Sequence, residues 1–323
     1  MQAICCPACG AALEPDENLM SAKCKFCGNV IALSPKDLGV DMMTSEVLAE
    51  MFRGEAAGVF LKQKLEELNQ DQYWKHHAQT VTFIAEDDSV VEISYIHHVN
   101  SLNTSIFMGR SNVFLLFSDP DDAKRYADTA FSLRYPPGDK YSMKQFLPEI
   151  THRFVLRDQR VLVVIPRGRD EYPLVSFRKL PDVHAAWIVS RLENLCCLLQ
   201  FNDFVLSDID IRDIYINPET HQAYLYGSLW RARRTSEFRS EFREKVNPYE
   251  DELLAVRRIA AETMGFSRIE DTRSVVPEDF HTFLREKPKK DAFSDFSQWD
   301  VSLMLAYGKR VFRKLEVNES TLN

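Results

Sequence analysis

Apolar residues recur along this chain with two different periods, and the period changes with position. Val81 and Phe83, then Val91, Ile93 and Tyr95, alternate with polar residues on either side of Glu86-Asp87-Asp88-Ser89. Alternation about a polar turn predicts a β-hairpin with one buried face. Ser105–Met108 and Asn112–Phe117 predict two further strands. Asp119-Pro120-Asp121-Asp122 then supplies a cap and a first-turn proline for a helix through Tyr126 and Ala130. Phe154-Val155-Leu156 and Val161–Ile165 flank the turn Asp158-Gln159 as another strand pair. From residue 182 onward the period is mostly helical, led by Ile188, Leu192, Leu195 and Leu199 on one face. Strands, one helix, two strands and then a large helical part predict α+β with segregated layers, not a wound parallel sheet.

Before residue 80 the pattern is different. Residues 45–75 predict helices: Leu61, Leu65, Leu68 and Gln72 form one row beside Phe60, and Gly54 and Gly58 divide the region. Short isolated helices are marginal in water, which favours a brace on the next domain over a free spacer. Ser34-Pro35-Lys36-Asp37 is a break. The expected division is 1–33, a linker or brace at 34–79, a strand-rich part at 80–178 and a helical part at 179–323.

Composition narrows the function. The chain has 323 residues and 45% hydrophobic content, enough for one large core or two domains. Its net charge of −8 and pI of about 5.6 argue against a nucleic-acid binder. No apolar run approaches the ~20 residues of a membrane helix. The N-terminus lacks a charged start followed by an apolar stretch, so no secretion signal is expected.

The first thirty residues carry Cys6-Pro7-Ala8-Cys9-Gly10 and Cys24-Lys25-Phe26-Cys27-Gly28. Four thiolates at this spacing suit a closed tetrahedral zinc site. A closed site is structural, because catalysis needs an open coordination position. The pattern resembles a zinc ribbon, with zinc held by Cys6, Cys9, Cys24 and Cys27. Two disulfides are the alternative, and Cys5 is a spare thiol beside Cys6. Cys196 and Cys197 lie in an apolar helical pattern and read as buried thiols. A reducing cytoplasm fits all seven cysteines.

A second resemblance lies between Asp182 and Leu229. A long helix leads into Phe204-Val205-Leu206-Ser207-Asp208, then Asp213-Ile214-Tyr215-Ile216, a turn at Asn217–His221, and Ala223-Tyr224-Leu225-Tyr226-Gly227. This is similar to the catalytic hairpin of the protein-kinase family, in which a base aspartate is followed by a metal-binding asparagine, two strands and D-F-G. Asn247-Pro248-Tyr249-Glu250-Asp251 resembles the start of that family's central helix, with its leading aspartate. The resemblance implies a bilobal kinase-like fold over about residues 80–312.

The departures from that pattern bear on activity. Asn100-Ser101-Leu102-Asn103-Thr104 has no glycine where a phosphate-covering loop is expected. The position of the phosphate-pairing lysine falls near Leu116. Asp213 replaces the metal-binding asparagine, and Gly227 replaces the D-F-G aspartate. Asp208 alone keeps the place of the base, and an aspartate in such a turn also serves backbone hydrogen bonding. The resemblance therefore implies a pseudokinase, a scaffold for a protein partner, with ATP and magnesium not expected. The alternative is an atypical phosphotransferase or nucleotidyltransferase using Asp208 and Asp213. A weaker one is nucleic-acid contact through the ribbon.

The remaining features have plain readings. Asp208, Asp210 and Asp213 read as a solvated loop edge. Arg231, Arg233, Arg234, Arg239 and Arg243, interleaved with Glu237, Glu241 and Glu244, read as a solvated helix face. His76-His77 and His97-His98 have no ligand-spaced partners, and Trp187, Trp230 and Trp299 read as core.

Overall fold

The computed structural model describes residues 21–23, 30–32, 74–101, 103–136, 147, 149–168, 171–177, 179–218, 220–242 and 247–308, with 313, 315 and 317. The chain forms two compact units, 1–78 and 79–323. In the first, β1 (Ser21–Lys23) and β2 (Val30–Ala32) pair antiparallel, Ala22 opposite Ile31, with Ala22 buried. Cys6, Cys9, Cys24 and Cys27 lie outside the described residues, as do residues 45–73 of the expected helices.

The second unit opens with β3 (Gln79–Ile84) and β4 (Val90–Tyr95), the predicted hairpin. Then come β5 (His97–Ser101), β6 (Thr104–Met108), β7 (Asn112–Phe117), β8 (His152–Val155) and β9 (Val161–Pro166). These five form an antiparallel sheet in the order β5-β6-β7-β9-β8. Helix α1 (Pro120–Ser132) follows β7, and Asp119 caps it by accepting from the Asp121 amide at 2.8 Å. Asp88 and Gln159, at φ 68° and 69°, close the two predicted turns in the left-handed region.

Both faces of the sheet are covered. Val113, Leu115, Phe117, Val161, Val163 and Ile165 face the main core, with α1 and the helices. Phe107, Leu116 and Leu162 face the other way, under Phe83 and Ile93 of the β3–β4 hairpin. Leu116 therefore points away from the helical part. The strand positions facing inward are Val113, Leu115 and Phe117, also apolar, so the absence of a lysine there stands although the face differs.

The helical part contains α2 (Asp182–Phe201), α3 (Thr235–Phe242), α4 (Glu250–Thr263), α5 (Glu278–Arg285) and α6 (Ala292–Tyr307). Helix α2 is not a one-faced helix. Ala185, Ala186, Val189 and Cys196 are buried along with the predicted row, because α4 and α6 cover what would otherwise be its outer face. Trp299 is fully buried and donates from Nε1 to the Ser190 hydroxyl at 2.8 Å, whereas Trp187 and Trp230 lie at the core's edge. Cys196 and Cys197 are buried free thiols, and burial pushes Cys197 up to about 12. Among the described residues no helix is long and apolar enough to cross a membrane.

Candidate functional site

A short strand, β10 (Tyr172–Pro173), precedes α2; the hairpin that follows α2 begins with β11 (Phe204–Leu206) and passes through a 3-10 turn at Ile211–Asp213 into β12 (Ile214–Asn217), which pairs with β10, and β13 (Gln222–Leu225). After Tyr226 and Gly227 a second 3-10 turn, Ser228–Arg231, leads to β14 (Ala232–Arg234), which pairs with β11. The loop between β11 and β12 is thus held at both ends. Asp210 shapes it, accepting from the Arg212 amide at 2.9 Å, while its carbonyl accepts from the Asp213 amide at 3.0 Å. Ile209 is fully buried and anchors its middle.

The three acids expected at a solvated edge are each tied to arginine. Asp213 is 1% exposed. Its Oδ2 accepts from the Ser228 hydroxyl and from Arg231 Nη2, the latter at 3.1 Å. Burial pushes its pKa up, against the pull of Ser228, Arg231 and the Ser101 hydroxyl. Asp208 is partly exposed, 2.6 Å from Arg258 and 3.7 Å from Arg231. Asp210 takes the Arg212 guanidinium, with Nε at 2.9 Å from Oδ1. Burial alone would raise its pKa, but the Arg212 bonds outweigh it and leave it lowered.

The predicted solvated helix face is corrected for Arg231 and Arg234 by β14, whereas Arg233 is exposed and Arg243 and Glu244 lie outside the described residues. The helix begins at Thr235, so Arg231 and Arg234 precede it and turn inward. Arg234 lies 4.0 Å above the Phe204 ring and donates to the Asn202 carbonyl at 2.7 Å. The sequence places Arg231 on that helix face because nothing local marks its contact with the acids. Only the pairing of Ala232 with Leu206 brings it to the acids.

The glycine-free turn is fastened to the same loop. Arg212 Nη1 donates to the Asn100 carbonyl at 2.9 Å, and Ser101 and Thr104 are buried. From the other side, the Tyr126 hydroxyl of α1 donates to the Tyr226 carbonyl at 2.6 Å. The Tyr226 hydroxyl donates to Glu171 Oε2 at 2.5 Å, and the Gly168 amide donates to Oε1 at 2.8 Å. Tyr226 is therefore pinned at backbone and side chain. The fully buried Tyr215 ring meets it edge to face at 5.0 Å.

Gly227 lies directly against Asp213. A Cβ added at Gly227 would stand only 2.8 Å from the Asp213 Cβ and would run into its carboxylate. Magnesium-bound nucleotide, which a kinase-like hairpin implies, needs acids to hold metal and donors to hold phosphate. Here one acid is missing, the other two are bonded to arginines, and β7 offers no cation. The residues do not fit that group. Among the described residues there is also no cluster of three or more His, Cys, Asp or Glu suited to a metal, and His76 and His77 are exposed.

The acid that leads α4 to the hairpin is Glu252 rather than Asp251. Asp251 is exposed, whereas Glu252 is fully buried and its Oε2 accepts from the Leu206 amide at 2.7 Å. Burial pushes its pKa well above the usual carboxylate range, and the Leu206 bond offsets this only in part. The folded protein then holds a proton that the unfolded chain releases above about pH 4.5, so stability falls as pH rises past that point. Glu252→Gln keeps an acceptor for Leu206 and removes this contribution. Its stability relative to wild type should rise between about pH 5 and pH 8 in urea unfolding. An equal difference at both pH values would contradict a protonated Glu252.

No family model matches the sequence, and no curated protein matches it. Solved structures with similar outlines are protein kinases. Vaccinia related kinase 3 has a TM-score of 0.46 and 10% identity, over 70% of this chain and 90% of that one. The Cydia pomonella granulovirus kinase PK-1 gives 0.43 and 11%, over 76% and 98%. A rhoptry kinase from Toxoplasma gondii gives 0.40 and 14%, over 71% and 85%. All three TM-scores lie below 0.5.

Proposed function

We propose that residues 79–323 form a degenerate kinase-like domain that transfers no phosphate and serves as a scaffold for a protein partner. The single observation carrying this reading is Gly227 against Asp213. The metal-binding carboxylate expected there is absent, and its space is closed. The order of sheet, helix, hairpin and central helix supports the kinase-like assignment. The alternative transferase, using Asp208 and Asp213, would need both acids free for metal, and both are bonded to arginine. Thermal unfolding of the full chain with millimolar ATP and magnesium tests the reading. A ligand at a hundred times its Kd adds about 2.7 kcal/mol. No rise in Tm is expected, and a clear magnesium-dependent rise would overturn the scaffold.

Residues 1–33 complete the proposal as a zinc ribbon and second contact module. The spacing of Cys6, Cys9, Cys24 and Cys27 supports one structural zinc per chain, and metal binding in so small a module is coupled to its folding. Metal analysis of freshly purified protein should find one zinc per chain, and Cys24→Ser should lose it. Zinc-free protein, or disulfides between these cysteines, would contradict the ribbon. The acidic total makes a nucleic acid the weaker partner.

A further inference from the structure

We propose that Arg231 is a tethered cation, standing permanently where a kinase-like hairpin would bind a dissociable metal ion. This rests on the reading that the hairpin binds no metal–nucleotide complex. An isolated buried carboxylate is costly, so Asp213 at 1% exposure requires a positive partner. The planar guanidinium supplies it. Nη2 reaches Asp213 Oδ2 at 3.1 Å and the Ser228 hydroxyl at 2.9 Å, and Nη1 is 3.7 Å from Asp208. The Arg231 side chain is itself only 10% exposed. Of the neighbouring charged groups, Asp210 is engaged with Arg212, and Arg258 with Asp208 and Glu262. Arg231 is thus the cation that balances Asp213, bridging towards Asp208 as a bound ion would. The β11–β14 ladder fixes it there, so the site stays assembled whatever the metal concentration.

The test uses full-length protein and Mn2+, a hard cation with little affinity for a tetrathiolate site. Arg231→Ala should lower Tm and, unlike wild type, bind Mn2+ at about 1 mM by electron paramagnetic resonance. Arg231→Ala/Asp213→Asn should recover part of the lost Tm, with coupling of roughly tenfold or more in the folding equilibrium, and should bind no Mn2+. Arg231→Lys, which keeps the charge, should stay folded and closer to wild type than Arg231→Gln. The inference is overturned if folded Arg231→Ala binds no Mn2+, if Asp213→Asn brings no recovery, or if Lys and Gln are equivalent. If Arg231→Ala does not fold, the Lys–Gln comparison decides. None of these readouts involves ATP, so the inference can fail while the scaffold reading stands.

Discussion

Gly227→Asp, which would place an acid where the proposed kinase-like hairpin would carry its D-F-G aspartate, is expected to destabilise the domain severely and to confer no ATP binding. Even the Cβ falls within 2.8 Å of the Asp213 Cβ, in a site closed by Tyr226, pinned through Tyr126 and Glu171, and by Ser228. Overpacking alone costs about 1–3 kcal/mol. A second carboxylate beside the buried Asp213 adds like-charge repulsion and desolvation. Against a total stability of about 5–15 kcal/mol, the sum is large. Gly227→Ala isolates the steric part and should cost about 1–3 kcal/mol. Urea unfolding followed by circular dichroism measures both. A Gly227→Asp variant with the wild-type midpoint would show that the space is not closed.

Arg257→Met is expected to cost about 3–5 kcal/mol, because it leaves buried acid without its partner. Arg257 is fully buried on α4. It bonds Asp295 of α6 at 2.8–3.0 Å, the Leu253 carbonyl at 3.0 Å and the Phe283 carbonyl at 3.2 Å. Its guanidinium also lies 4.2 Å from the Phe283 ring centroid. One side chain therefore ties together α4, α5 and α6. Asp295, also fully buried, accepts from the Lys289 amide at 2.8 Å and cannot move out to water. Arg257→Met/Asp295→Asn should recover much of the loss, since the uncompensated charge is then gone. A single variant within 1 kcal/mol of wild type would contradict this account of the helical core.

The local rules read well where the signal was local. The Asp119 cap and the turns at Asp87-Asp88 and Asp158-Gln159 lie where alternation and turn chemistry put them, and the β12–β13 hairpin lies where the resemblance to the kinase hairpin implied it. Strand β5 was missed because His97-His98-Val99-Asn100-Ser101 is polar, and it becomes a strand by pairing at the sheet edge with β6. The face of β7 was misjudged because both faces of this sheet are apolar, so alternation cannot say which one meets the helices. At the site, the identities of Asp208, Asp213 and Gly227 were legible. The arginines that neutralise the acids were not, since Arg231 and Arg258 reach Asp208 from 23 and 50 residues away in sequence. Glu252 was displaced by one position because only helix phase separates it from the exposed Asp251.

In the proposed scaffold the place for a metal-bound nucleotide is filled by the chain itself, with Gly227 against Asp213 and Arg231 on its carboxylate. Isothermal titration of the full chain with ATP and magnesium measures whether that place is open. No binding heat is expected at millimolar nucleotide, with or without magnesium. A saturable, magnesium-dependent isotherm that is lost in Asp213→Asn would contradict it, because it would require Arg231 to leave Asp213 and the acid to accept a metal ion instead.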